Sequence, residues 1–117
     1  MFMEEVKQIK NEPQFSVEDY ERYIKGLYDL MKGLDNNLSQ INLKQRTKFE
    51  ENIALLKDQM NDLINSYDNN NATPEQAMTF YKEKNILRNK IIEMNNHIIE
   101  IYRKEKIEKA VITTVTI

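Results

Sequence analysis

Among the side chains that could do chemistry in this chain, His97 comes first, because it is the only histidine in 117 residues. Glu93 and Glu100 stand about one helical turn to either side of it, so a carboxylate–imidazole cluster is geometrically possible on a helix. A carboxylate-bridged metal pair inside a bundle demands more: two Glu-x-x-His motifs and further inward-facing carboxylates. One histidine cannot supply them. His97 also flanks the apolar positions Met94 and Ile98 rather than sharing their line, which suits a solvated residue.

The other catalytic chemistries find even less to work with. There is no cysteine, which excludes disulfides, thiolate zinc sites and thiol nucleophiles. The acidic pairs Glu4-Glu5, Glu50-Glu51 and Asp19 with Glu21 fall on polar helix faces or near a terminus, where water solvates them. Ser16, Ser39 and Ser66 have no base-bearing motif beside them, and two isolated glycines cannot form a phosphate-cradling loop. No catalytic, cofactor or metal residue is expected, no small-molecule substrate is inferred, and the reading is that the chain is not an enzyme.

Charge narrows the partners further. Seventeen basic residues are offset by nineteen acidic ones, for a net charge of −2. The densest basic stretch, Lys82, Lys84, Arg88, Lys90, Arg103, Lys104, Lys106 and Lys109, is interleaved with Glu83, Glu93, Glu100, Glu105 and Glu108. Such alternation reads as an exposed, ion-paired helix face rather than a phosphate-binding stripe. Nucleic acid is therefore a minor alternative as a partner. No apolar run approaches the length of a membrane span, about 18 residues, and the start, Met1-Phe2-Met3-Glu4-Glu5, lacks the basic and apolar regions of a signal peptide. No membrane is expected, and the default location is cytoplasmic, or virion-associated if the chain is phage-encoded. Lys, Asn and Ile make up 41 residues, an AT-rich codon bias associated with low-GC bacteria, their phages and some protists.

The elements that carry these residues are helices. With two Gly, two Pro and 31% charged residues, the composition suits long helices better than turn-rich sheets. Phe15-Ser16-Val17-Glu18-Asp19-Tyr20 opens the first, with Ser16 as cap, acids in the first turn, and Phe15 and Tyr20 placed as a hydrophobic staple. Tyr20, Ile24, Leu27, Met31, Leu34, Leu38 and Ile41 then alternate by four and three, a heptad seam, widened by Tyr23, Tyr28 and Leu30. Gly26 and Gly33 lie inside this helix and could mark a close helix approach. A second seam, Phe49, Ile53, Leu56, Met60, Leu63 and Tyr67, is one residue out of phase with the first. Either one helix of about fifty residues absorbs the skip, or the chain breaks between Asp35 and Asn42; the Asn-rich segment and the capping spacing of Asn42 and Gln45 favour the break.

Asp68-Asn69-Asn70-Asn71-Ala72 reads as a polar loop, and Thr73-Pro74-Glu75-Gln76 as a helix start with a capping box and Pro at the first helical position. The last helix carries Phe80, Leu87, Ile91, Met94, Ile98 and Ile101 on one seam and Tyr81, Ile92, Ile99 and Tyr102 on another, which implies burial against two helices or a partner chain. Glu100–Lys104 and Glu105–Lys109 support it to Ala110, about 55 Å from its start. Val111 to Ile117 is wholly β-branched, so an extended tail is expected there, floppy, packed back, or docked as a strand on another protein.

The expected architecture is all-α: a small up-down bundle of two long or three helices with coiled-coil-like packing. Residues 1–15 form an N-terminal arm, 16–110 the bundle (helices at about 17–40, 43–68 and 74–110), and 111–117 the extended tail. Candidate partner-binding residues are Phe2, Val6 and Ile9 of the arm, Ile92, Ile99 and Tyr102 of the second stripe, and Val111, Ile112, Val115 and Ile117 of the tail. A protein partner or self-association to an oligomer is expected, as for an adaptor or an assembly or export chaperone. The alternative is a structural or accessory subunit of a larger assembly such as a phage particle. In general plan the chain is similar to small export chaperones of the flagellar and type III kind and to many phage accessory proteins, a likeness of architecture alone.

Overall fold

Three hydrogen-bonded caps set where the helices begin in the computed structural model, which describes residues 13–116, with side chains described for 13–110. Ser16 Oγ accepts from the Asp19 N–H at 3.0 Å and starts α1, Val17–Leu38. Asn42 Oδ1 accepts from the Gln45 N–H at 3.0 Å and starts α2, Leu43–Ser66. Thr73 and Gln76 close a reciprocal capping box at the head of α3, Pro74–Thr116: Thr73 Oγ1 accepts from the Gln76 N–H, and Gln76 Oε1 accepts from the Thr73 N–H. Each cap satisfies a donor that the helix itself leaves unpaired.

The phase skip between the first two seams is a turn. Ser39 ends α1 in right-handed backbone (φ −66°, ψ −16°), and its N–H bonds Asp35 O. Gln40 N–H bonds Asn37 O and Ile41 N–H bonds Leu38 O, so the chain reverses without any left-handed residue and needs no glycine. Arg46 Nη2 reaches back to the carbonyls of Ser39 and Ile41 and satisfies two groups the turn exposes. At Asn42 the expected capping box is half formed: its N–H donates to the Glu105 carboxylate of α3, at 3.3 Å from each oxygen.

Both early seams face the core. Leu27, Met31, Leu34, Leu38 and Ile41 are buried from the first, and Ile53, Leu56, Met60, Leu63 and Tyr67 from the second. Phe80, Leu87, Ile91 and Ile98 answer them from α3. Each such side chain contributes about 1.5–3 kcal/mol by leaving water. Helix α3 lies against both others, packing most extensively on α1, while α1 and α2 touch least. The first stripe of α3 is thus the buried one, while Ile92, Ile99 and Tyr102 of the second are half-buried and Tyr81 is exposed.

Cross-contacts define the register. Lys84 lies beside Tyr23, Asn37 Nδ2 donates to Asn95 Oδ1 at 2.7 Å, and Asn42 meets Glu105. Hence α1 and α3 run parallel, and α2 is antiparallel to both. At 22 and 24 residues, α1 and α2 are about 35 Å long, whereas the 43 residues of α3 span about 65 Å. The surplus projects past the α1–α2 turn, and Ile107 on it is 63% exposed.

Three expectations change. The tail expected to be extended is helical through Thr116: an existing helix adds each residue with a further backbone bond, and β-branching costs only tenths of a kcal/mol per residue, about 0.5. Tyr28, placed among the stripe-widening residues, is exposed. Gly26 and Gly33 mark no close approach, since a Cβ at either would meet nothing within 4 Å.

Candidate interaction surface

The carboxylate–imidazole grouping that helical spacing allows around His97 lies in solvent. His97, Glu93 and Glu100 are all exposed, and among the described residues no three His, Asp or Glu side chains are grouped closely enough to hold a metal ion. Among those residues, no helix is long and apolar enough to cross a membrane. Of the candidate partner-binding residues, Ile99 and Tyr102 are half-buried and come together with Asn37 and Gln40 where α1 ends. Ile92 is also half-buried. Phe2, Val6, Ile9 and Ile117 lie outside the described residues; Val111, Ile112 and Val115 fall on helical backbone whose side chains are not described.

The perturbed ionisable groups gather instead at the end of the bundle where α1 and α3 both begin. Tyr67 leaves α2 in extended backbone (φ −113°, ψ 123°), and its ring stacks on Phe80 at 4.3 Å between centroids. Phe15 and Tyr20, the expected staple, each turn to this pair, and Phe15 also meets Tyr23 edge-on at 5.4 Å. Burial raises the phenol pKa values of Tyr20 and Tyr67; Asp68 adds to the effect at Tyr20, and Tyr20 and then Asp68 add to it at Tyr67.

Two polar side chains are buried in this cluster. Asn69 is 7% exposed, and its Oδ1 accepts from the Phe15 N–H and the Tyr67 hydroxyl while its Nδ2 donates to Phe15 O. The Gln14 N–H completes the clasp by bonding Asn69 O. Residues 14 and 15, assigned to the N-terminal arm from sequence, are therefore fastened to the loop between α2 and α3. Lys84 is likewise 7% exposed. Its Nζ stands 3.9 Å from the Tyr23 ring centroid and 4.2 Å from that of Tyr81, a cation held between two π faces. Burial lowers its pKa, with Arg88 and then Arg22 acting in the same direction. Lys84 had been grouped with the solvated charges; the missed signal was that it fills the seam position between Phe80 and Leu87.

Along the face of α2 and α3 away from this lysine runs an open groove. From the interhelix loop it passes over Leu63 and Phe80, then Leu87, then Leu56 and Met94, and adjoining stretches share Leu63, Gln59 and Lys90. Ile86 and Leu55 stand on its sides 56% and 54% exposed. Its loop half carries the carboxylates of Asp62, Asp68, Glu75 and Glu83. Polar side chains predominate at its loop end; beyond that the groove offers an apolar floor with charged rims, and it brings together no convergent set of nucleophile, base and oxyanion donors. Those features define a helical bundle with an open inter-helix groove. Comparison with protein-family models, curated proteins and solved structures yields no match to the chain.

Proposed function

We propose that this chain is a non-catalytic helical protein-interaction module, of the adaptor or assembly-chaperone kind, that receives an amphipathic helix in the groove between α2 and α3. The observation that carries this reading is the pair Leu55 and Ile86, two large apolar side chains more than half exposed along one apolar floor. An amphipathic helix buries such a groove with anchors at i, i+3, i+4 and i+7. The test is affinity capture with the wild-type chain beside Leu55→Glu and Ile86→Glu variants of unchanged circular dichroism. A partner retained by wild type and lost from both variants supports the reading; a partner set indifferent to both removes it.

The projecting end of α3 favours a second reading, a structural subunit that joins a larger assembly through this end. Exposed Ile107 is the observation behind it. Light scattering coupled to size exclusion separates the two: a subunit forms higher oligomers that Ile107→Glu dissolves, whereas an adaptor keeps its size.

A further inference from the structure

We propose that Lys84 is a site of covalent modification, an amine that takes the acyl group of a small acyl phosphate seated between Arg22 and Arg88. The site lies on the face away from the α2–α3 groove, so it stands independently of the helix-receptor reading.

What surrounds the amine sets it apart. Lys84 is 7% exposed, and its Nζ is held 3.9 and 4.2 Å from the Tyr23 and Tyr81 ring centroids. An ammonium has three N–H groups to place. The rings offer π faces but no acceptor atom, and among the described residues no carboxylate is paired with it. Asp19 of α1 is taken by Arg22 at 2.6 Å through Nη2, which leaves the other guanidinium donors of Arg22 available. Arg22 Cζ lies 5.8 Å from the same Tyr23 ring, so it is within about 10 Å of the ammonium, and Arg88 stands one turn along α3. Burial, Arg88 and Arg22 all disfavour the charged form, which leaves more of the free amine that acts as nucleophile.

The amine can also be reached. Lys84 Nζ lacks an acceptor but is not sealed in, because among the described side chains only Arg46 Nε is both unpaired and fully enclosed. Tyr81, 42% exposed, is the outer wall of the cage, and its hydroxyl makes no hydrogen bond among the described residues. Rotation of one exposed side chain therefore opens the site, a motion of picoseconds to nanoseconds.

The flanking charges choose the electrophile. Two guanidiniums, each a planar fork of donors, suit a phosphate better than a neutral or cationic leaving group. A small acyl group such as acetyl places only a methyl against the tyrosine faces. The Nζ lone pair attacks the acyl carbon, and the bond from that carbon to the phosphate oxygen breaks. Inorganic phosphate leaves with the electron pair, and the amine proton passes to water. The product is a neutral amide, so a charge without an acceptor and its repulsion with both arginines are removed together.

Acetyl phosphate is the probe. The full chain is incubated with it near neutral pH and cut with a glutamate-specific protease, and acetylation at each lysine is followed by mass spectrometry. Lys82 and Lys90, exposed on the same helix, serve as references. Lys84 should acetylate about tenfold faster than either, the lower end of what a cationic cluster adds to the local concentration of an anion. Acetic anhydride, which carries no phosphate, should show much less preference for Lys84. Arg22→Gln with Arg88→Gln should cut the acetyl phosphate preference to the anhydride level while circular dichroism is unchanged. In the unaltered chain, added inorganic phosphate should slow Lys84 and leave Lys82 as it was, a readout that needs no variant to fold. Acetylation of Lys84 no faster than of its references overturns the proposal. So does an equal preference with both donors, or one that survives loss of both guanidiniums or an excess of inorganic phosphate.

Discussion

The two ends of the bundle are closed in different ways. Where α1 and α3 begin, Phe15, Tyr20, Tyr23, Tyr67, Phe80 and Tyr81 pack together around Lys84 and Asn69, and Tyr67, Phe80, Lys84 and Asn69 are buried there. Where α1 turns into α2, Leu38 and Ile41 are buried but no aromatic cluster forms, and the polar contacts, Asn42 N–H to Glu105 and Arg46 to two turn carbonyls at 3.1–3.3 Å, are largely solvated. A buried contact that loses a partner leaves an uncompensated group or a cavity, whereas a solvated one is replaced by water. The aromatic end should therefore hold the stability of the fold and the turn end should yield first.

Phe80→Ala probes that difference most severely. The ring is 2% exposed and stacked on Tyr67, so its loss should cost about 3–5 kcal/mol in urea unfolding. Asn69→Ala comes next, at about 1–3 kcal/mol, because it strands the Phe15 N–H and carbonyl together. Amide exchange should speed up at residues 14 and 15 beyond the global change; uniform acceleration would mean the clasp is not local. Between the ends, Gly26→Ala and Gly33→Ala should each stabilise by about 1 kcal/mol, since both face open space inside a helix. A destabilising outcome would reveal a contact at that face.

Lys84 adds a pH signature to the aromatic end. Its folded pKa lies below the ordinary 10.5, so the folded state gives up its proton first and stability rises with pH between the lowered value and 10.5. Tyr20 and Tyr67 act oppositely: their folded pKa values exceed 10.0, so stability falls as pH rises through 10.0 toward those raised values. Lys84→Met should remove the alkaline rise and leave the fall, at neutral to slightly higher stability near pH 7. An unchanged profile would show that the lysine is solvated in solution. The smallest effect is expected at the other end, where Glu105→Gln should cost about 0.5 kcal/mol or less. A loss approaching that of Asn69→Ala would erase the contrast between the ends.

What the sequence determined by itself was local or periodic. Ser16, Asn42 and Thr73 mark helix starts because a cap and the N–H it serves lie within three residues, so the signal needs no tertiary partner. The heptad seams were legible for the same reason: a stripe is a property of one helix. Which neighbour each stripe meets belongs to the tertiary structure. Lys84 sits in a seam position that its charge disguised, and only the arrival of Tyr23 from α1 and Tyr81 alongside makes burial there tolerable. The helical course of 111–116 was masked by β-branching, a propensity too weak to stop a helix already formed. The groove, too, was invisible in any single stripe, because Leu55 and Ile86 come to flank it, along successive stretches, only when α2 and α3 lie antiparallel and α1 packs mainly against α3. The residues with chemical potential that introduced this chain, His97 and its two glutamates, stayed apart in water. The proposed binding surface rests instead on apolar positions, whose meaning depends on what the rest of the fold leaves uncovered.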